Sequence, residues 1–169
     1  MKIALKYGFI YAGASILMSL IMYITGLNRT DSTWLITLIG LAVPVVCILL
    51  AVKEYKAELG GGFMKFSDIF KHGLIICLVG GIIYSAYSIV YIQVIDPTFM
   101  DYIMEKQVTK MQEMGMDDDA IEKAMQGSAS MQSPFWMFTF SLLGSLFAGA
   151  IISLIMAAIL KKPNPEEIV

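Results

Sequence analysis

The side chains that could do chemistry are few and far apart. His72 is the single histidine. It stands beside Lys71 at the edge of a long apolar run, where an imidazole with a polar tip suits a membrane interface better than proton abstraction. Asp117, Asp118 and Asp119 resemble part of a calcium loop, but the glycine and distal glutamate of such a loop are not at the required offsets. Met111, Met114 and Met116 offer thioethers at spacings that suit monovalent copper. Without a Cys or His beside them they read as adaptable filler on an apolar face. Cys47 and Cys77 lie inside apolar runs, as small hydrophobes rather than halves of a disulfide. Tyr84, Tyr87, Ser88 and Tyr91 share one helical face. They could line a polar cavity or bond across to neighbouring helices. No Walker loop, zincin motif or nucleophile elbow is present. The expectation is a protein that is not an enzyme and has no catalytic residues, metal site or cofactor.

The elements that carry these residues belong in lipid. The chain has 169 residues, is 57% hydrophobic and 15% charged, and has a mean hydropathy of +0.72, too apolar for an ordinary soluble domain. A net charge of −2 and no basic run longer than Lys161-Lys162 argue against a nucleic-acid partner. Crossing a hydrocarbon core takes about 20 apolar residues as helix. Four stretches free of Asp, Glu, Lys, Arg and His meet that length: Tyr7 to Leu27, Thr33 to Val52, Gly73 to Ile95 and Phe135 to Leu160. The expected fold is all-α, a single polytopic domain with spans 7–27, 33–52, 73–95 and 135–160 and a helical extracytoplasmic insertion, 96–134, between the third and fourth. The first span follows Lys2 and Lys6 as a secretory leader would, but it is longer than an h-region of about 7 to 15 residues and lacks a small-x-small cleavage site, so it reads as an uncleaved anchor.

Orientation follows from Lys and Arg, which cytoplasmic loops retain. The N-terminus, the second connection and the tail hold eight: Lys2, Lys6, Lys53, Lys56, Lys65, Lys71, Lys161 and Lys162. The other side holds four, Arg29, Lys106, Lys110 and Lys123. Both termini are therefore expected on the cytoplasmic side. Trp34, Tyr91 and Trp136 would anchor the outer interface, and Tyr7, Tyr11 and Tyr55 the inner one.

The short turn Asn28 to Ser32 makes the first two spans a hairpin. Pro44 should kink the second. Gly60-Gly61-Gly62 reads as a flexible break, followed by Phe63, Phe66 and Phe70 at helical spacing in a short segment that lies in the cytoplasmic interface and leads into the third span, with Ser67 as a cap. The paired Gly80-Gly81 could interrupt the third span. Because helices in lipid associate through close packing of small residues, Ser141, Ser145, Gly149, Ser153 and Ala157, spaced by four, form a groove along the fourth span. Gly144 and Ala148 lie beside it. Gly8, Ala12, Ser15 and Ser19 make a similar face on the first. These faces serve either packing inside one chain or a homodimer.

The 96–134 segment has 39 residues, with eight acidic and three basic side chains and seven of the thirteen methionines. It reads as two helices. Asp96-Pro97 would start the first and Gly115 end it; Asp117 would cap the second, with Met116 stapled to Ile121. Gly127 to Ser133 would be a loop. Met100, Ile103, Met104, Val108 and Met111 align on one side of the first helix, opposite Asp101, Glu105, Lys106, Gln112 and Glu113. That apolar side must cover the mouth of the bundle or the outer interface.

Several stretches carry a resemblance: Met1 to Gly8 (MKIALKYG), Phe66 to Gly73 (FSDIFKHG), Val94 to Phe99 (VIDPTF), Met114 to Met125 (MGMDDDAIEKAM), Ser133-Pro134 and Ala157 to Lys162 (AAILKK). In order and spacing the chain resembles an uncharacterised family of four-span bacterial membrane proteins, mainly from the Bacteroidetes, domain of unknown function 4199. The resemblance implies an inner-membrane protein and assigns no functional residue.

Absence of ionisable groups within the spans speaks against a proton or ion pathway. The leading expectation is a non-enzymatic membrane protein that works through helix-helix or loop-mediated contacts, with the bilayer, a second copy or another membrane protein as partner. A small transporter or channel component is the alternative.

Overall fold

In lipid every backbone polar group must be satisfied within its own segment, so each charge-free run becomes a helix. The computed structural model describes residues 1–30, 33–129 and 133–162. Among the described residues six α-helices form in chain order: α1 Lys2–Thr25, α2 Thr33–Glu58, α3 Phe66–Val90, α4 Phe99–Glu113, α5 Asp118–Ala129 and α6 Pro134–Leu160. A 3₁₀ turn, Leu27–Arg29, follows α1, and a π-helical turn, Tyr91–Ile95, continues α3. Four helical segments among the described residues are long and apolar enough to cross a membrane: Lys2–Thr25, Ile36–Glu58, Phe66–Ile95 and Pro134–Leu160. The protein is an all-helical, multi-pass membrane protein.

Several boundaries differ from those expected. The helices run past the charge-free stretches, because a helix does not stop where the apolar run stops; long Lys and Glu side chains reach the aqueous edge while the backbone continues its ladder. The segment expected to lead into the third span is the first turns of α3 itself. Phe66 and Phe70 fall within α3, and Lys65 accepts its first amide bonds, from Asp68 and Ile69, so Ser67 lies inside the helix rather than capping it. Gly60-Gly61-Gly62 is a hydrogen-bonded turn, not a loose break. Gly61 and Gly62 adopt φ of 51° and 88°, the Gly62 amide donates to Lys56 and that of Phe63 to Gly60. Gly80 and Gly81 do not interrupt α3, and Pro44 lies within an α2 that runs on to Glu58. Ser32, assigned to the first turn, lies outside the described residues.

The chain divides into two compact units, Met1–Tyr84 with Leu142–Val169, and Ser85–Ser141. In the first unit the buried core is gathered toward one end. It draws on Ile3, Ala4 and Tyr7 of α1, Cys47, Ile48, Ala51 and Val52 of α2, Met64, Ile69, Ile76 and Cys77 from the start of α3, and Ile152, Met156 and Ala157 of α6. Large apolar side chains such as Phe9, Ile24, Leu38, Phe147 and Ile159 are exposed, as lipid-facing residues are.

The second unit holds the end of α3, the π turn, α4, α5 and the start of α6. It therefore begins earlier and ends later than the 96–134 insertion. Asp96 and Pro97 do not start α4. They form a turn in which the Asp96 carbonyl accepts from Phe99 and its Oδ1 from Thr98 Oγ1 at 3.0 Å, and the helix begins at Phe99. At the other end Gly115 takes φ of 78°, its amide donates to Gln112 and that of Met116 to Met111, a Schellman closure of α4. Asp117 Oδ1 accepts from the Ala120 amide at 2.7 Å and so caps α5, while Met116 is exposed and Ile121 buried. The expected loop from Gly127 is helical through Ala129; residues 130–132 lie outside the described ones. Replacing Asp117 with Ala should loosen α5 by about 1 kcal/mol, roughly a five-fold gain in amide exchange rate across its first turns with α4 unchanged. Hydrogen exchange read by mass spectrometry checks this.

Candidate functional site

Oppositely charged residues near the ends of α1 and α2 build the first polar constellation. Lys6 Nζ donates to Glu54 Oε1 and Oε2 at 2.9 and 2.7 Å, and the buried Tyr7 hydroxyl donates to Oε2 at 2.9 Å. The carboxylate thus has two donors from successive residues of one helix, a fixed clamp between α1 and α2. Two residues on, Lys56 Nζ donates to the Leu160 carbonyl at 2.7 Å, satisfying an end group that α6 leaves open. Tyr55 meets the His72 ring edge-on at 5.1 Å. His72 Nδ1 lies 2.7 Å from the Asp68 carbonyl one turn back, which makes it the N–H donor in the neutral ring. The histidine is therefore turned back onto its own helix and held by an aromatic wall.

Backbone pairing completes this end. Met64 and Lys162 form an isolated antiparallel bridge, the Met64 amide donating to Lys162 at 2.9 Å and the Lys162 amide to Met64 at 3.0 Å. Lys162 Nζ lies 5.2 Å from the Phe63 ring centroid. The N-terminal helix, the connection between α2 and α3 and the end of α6 are consequently fastened together.

The small-residue faces lie between helices of the same chain. Gly73 packs against Ser153, and an added Cβ there would overlap that side chain. A Cβ on Gly149 would come within 2.5 Å of Cys77 Cβ, and one on Gly81 within 2.7 Å of Ser145 Oγ. The three pairs step by four residues along both α3 and α6, and the next step leads to Ile69 and Ala157, both fully buried. In the second unit Ser85 Oγ donates to Ser141 Oγ at 3.0 Å. Gly144 faces open space. On α1, Gly8 abuts Val79, Tyr11 covers Gly80 and Ala12 is buried, while Ser15 and Ser19 are half-buried. α3 thus offers one glycine face to α6 and another to α1.

Ser88 Oγ donates to its own helix, to Ser85 at 2.7 Å. Tyr87 lies 6.1 Å from Tyr91, whose ring packs edge-on to Phe99 at 5.6 Å. Tyr91 is buried, not an interfacial anchor; Trp34 and Trp136 are exposed. Tyr84 is half-buried. Among the described residues no three His, Cys, Asp or Glu side chains converge as a metal site would need. Met114 and Met116 are exposed and Met111 half-buried.

A family model described as a protein of unknown function, DUF4199, matches residues 6–162. The chain belongs to this family. No curated protein and no solved structure matches the chain. The DUF4199 match begins at Lys6 and ends at Lys162, so it takes in all but the first residues of the four spans, the clamp onto Glu54 and both halves of the Met64–Lys162 bridge.

Sequence reasoning missed the clamp, the bridge and the π turn. The grouping of Lys6, Lys53, Lys56 and Lys162 on one side was the available signal for the first two. Their pairings link residues 48 and 98 positions apart, which no local spacing reveals. The π turn carries one extra residue in an otherwise helical pattern and has no composition of its own.

Proposed function

We propose that this DUF4199 protein is a non-enzymatic component of a bacterial inner membrane, with both termini in the cytoplasm, that acts through its extracytoplasmic α4–α5 segment on another envelope protein. The observation that carries the reading is the side of α4 left open. Asp101, Glu105, Gln112 and Glu113 are exposed, while Met100, Ile103, Met104, Val108 and Met111 are half-buried. A charged, exposed face on a closed helix pair is a contact surface for a partner of basic or polar character. The small-residue face of α6, by contrast, is already occupied by α3 and leaves less for a second copy. The clamp and the bridge support the orientation, because they tie Lys6 and Lys162, two of the eight lysines, into the end where the positive-inside rule places the cytoplasm.

Crosslinking in intact cells followed by purification in mild detergent tests the reading. A discrete heteromeric product is expected, and Asp101→Lys with Glu105→Lys should remove it without changing the yield of folded protein. Recovery of the bare chain alone, or only of a homodimer, would overturn it. A transporter would instead expose Ser88: aqueous maleimide labelling of Ser88→Cys at the rate of a surface cysteine would favour a pore.

A further inference from the structure

Methionines that fill an apolar face are covered by their neighbours, and those at the turn between α4 and α5 are not. Met114 is 64% exposed and Met116 37%, on either side of Gly115, while Met111 is half-buried. The closure of α4 brings the three together. Met111 and Met114 are three residues apart at the end of one helix, which makes them neighbours on its surface. Beyond the left-handed Gly115 the chain doubles back, and the Met116 amide donates to the Met111 carbonyl at 3.1 Å. A closure of this form characteristically sets the residue that donates against the one that accepts, here Met116 against Met111. Met111 is thus the common neighbour of two exposed thioethers. The surrounding charge is of one sign. Between Lys110 and Lys123 stand Glu113, Asp117, Asp118, Asp119 and Glu122, all exposed, and no basic residue. Carboxylates raise the local concentration of cations. Thioethers, soft and uncharged, select among them for monovalent copper.

We propose that Met111, Met114 and Met116 form a thioether site for monovalent copper at the turn that joins α4 to α5. The site gives the α4–α5 segment a ligand of its own, whichever side of the membrane the segment lies on and whether or not it meets a partner. The turn is built by backbone bonds, Gly115 to Gln112 and Met116 to Met111, with Asp117 capping α5 directly after. The backbone positions of the three methionines are therefore set without a metal, and only their flexible thioether ends must turn to meet it. The carboxylates stay outside the ligand set, because hard oxygen donors suit magnesium or calcium rather than a soft monovalent ion.

The test uses the full chain in detergent micelles under a reductant, titrated with Cu(I) against a chromophoric chelator. One Cu(I) per chain is expected, and Ag(I), a soft ion of the same charge, should displace it while Mg(II) and Zn(II) should not. Met114→Leu with Met116→Leu keeps the apolar volume and should weaken binding by about ten-fold or more. Met100→Leu, roughly 16 Å back along α4, should leave it unchanged. Thioethers have no proton to give up, so the affinity, corrected for the chelator's own protonation, should stay constant from about pH 5.5 to 7.5. A site made by His72, or by Cys47 and Cys77, would instead tighten as pH rises. No binding of Cu(I), full affinity in the Leu variant, affinity that climbs with pH, or displacement by Zn(II) would overturn the proposal. Should the Leu variant fail to fold, the pH series and the Ag(I) competition on the unaltered protein decide. Copper binding in micelles without a crosslinked partner in cells would fail the partner reading alone, and the reverse result would fail the copper site alone.

Discussion

Replacing Gly149 with Leu should cost the protein its fold. An added Cβ at this position comes within 2.5 Å of Cys77 Cβ and 2.6 Å of its Sγ. The Sγ can swing about χ1, but Cβ is fixed by the backbone, so relief of that contact requires the α3 backbone to shift. Overpacking of this kind costs roughly 1 to 3 kcal/mol for a small addition and more for a branched one. In lipid the penalty weighs heavily, because helices gain little from apolar burial against each other and depend on close approach. Gly149→Ala should therefore destabilise by about 2 kcal/mol and Gly149→Leu by more than about 3. Steric relief separates this cause from a lost helix preference. Cys77→Gly should restore most of the loss in the Gly149→Ala background, giving a coupling of about 1 to 2 kcal/mol. Thermal unfolding and size-exclusion chromatography in detergent read both quantities. Retained stability with a loss of dimer would move the groove from the chain's interior to a contact between copies.

Gly80→Ala should be nearly as damaging, and through a different helix pair. The added methyl would overlap the Tyr11 ring and lie 2.9 Å from its Cγ, so the ring must leave its place rather than tilt. About 1 to 3 kcal/mol is expected. Tyr11→Ala alone should also destabilise, by roughly 3 kcal/mol, because the space it vacates stays unfilled. The two changes together should cost clearly less than their sum. Additive costs in detergent unfolding would show that Gly80 does not seat Tyr11.

The spans and their number were legible because lipid imposes a length and forbids unpaired charge, both of which a single sequence displays. Capping was legible too: Asp117 and Gly115 act through bonds to residues three to five positions away. The choice of partners was not. Ser145, Gly149 and Ser153 announce a small-residue face by their spacing, yet nothing local says that Gly81, Cys77 and Gly73 lie opposite. The start of α3 was misplaced for a related reason. Phe63, Phe66 and Phe70 fit an interfacial helix by pattern, and only the turn at Gly61 and Gly62 shows that Phe63 belongs to the preceding bend. Asp96-Pro97 misled because the same pair opens a β-turn as readily as a helix.

The glycine face of α3 also sets an order of events during synthesis. Cys77 must wait for Gly149, 72 residues later in the chain. At a translation speed of about 5 to 20 residues per second, that delay is on the order of 4 to 14 seconds. Throughout it, α3 has its α1 neighbour in place but stands open on the side that α6 will fill, while α4 and α5 are still emerging from the ribosome. A nascent chain of this kind depends on the insertion machinery, or on a neighbouring helix, to shelter one flank until its last span arrives.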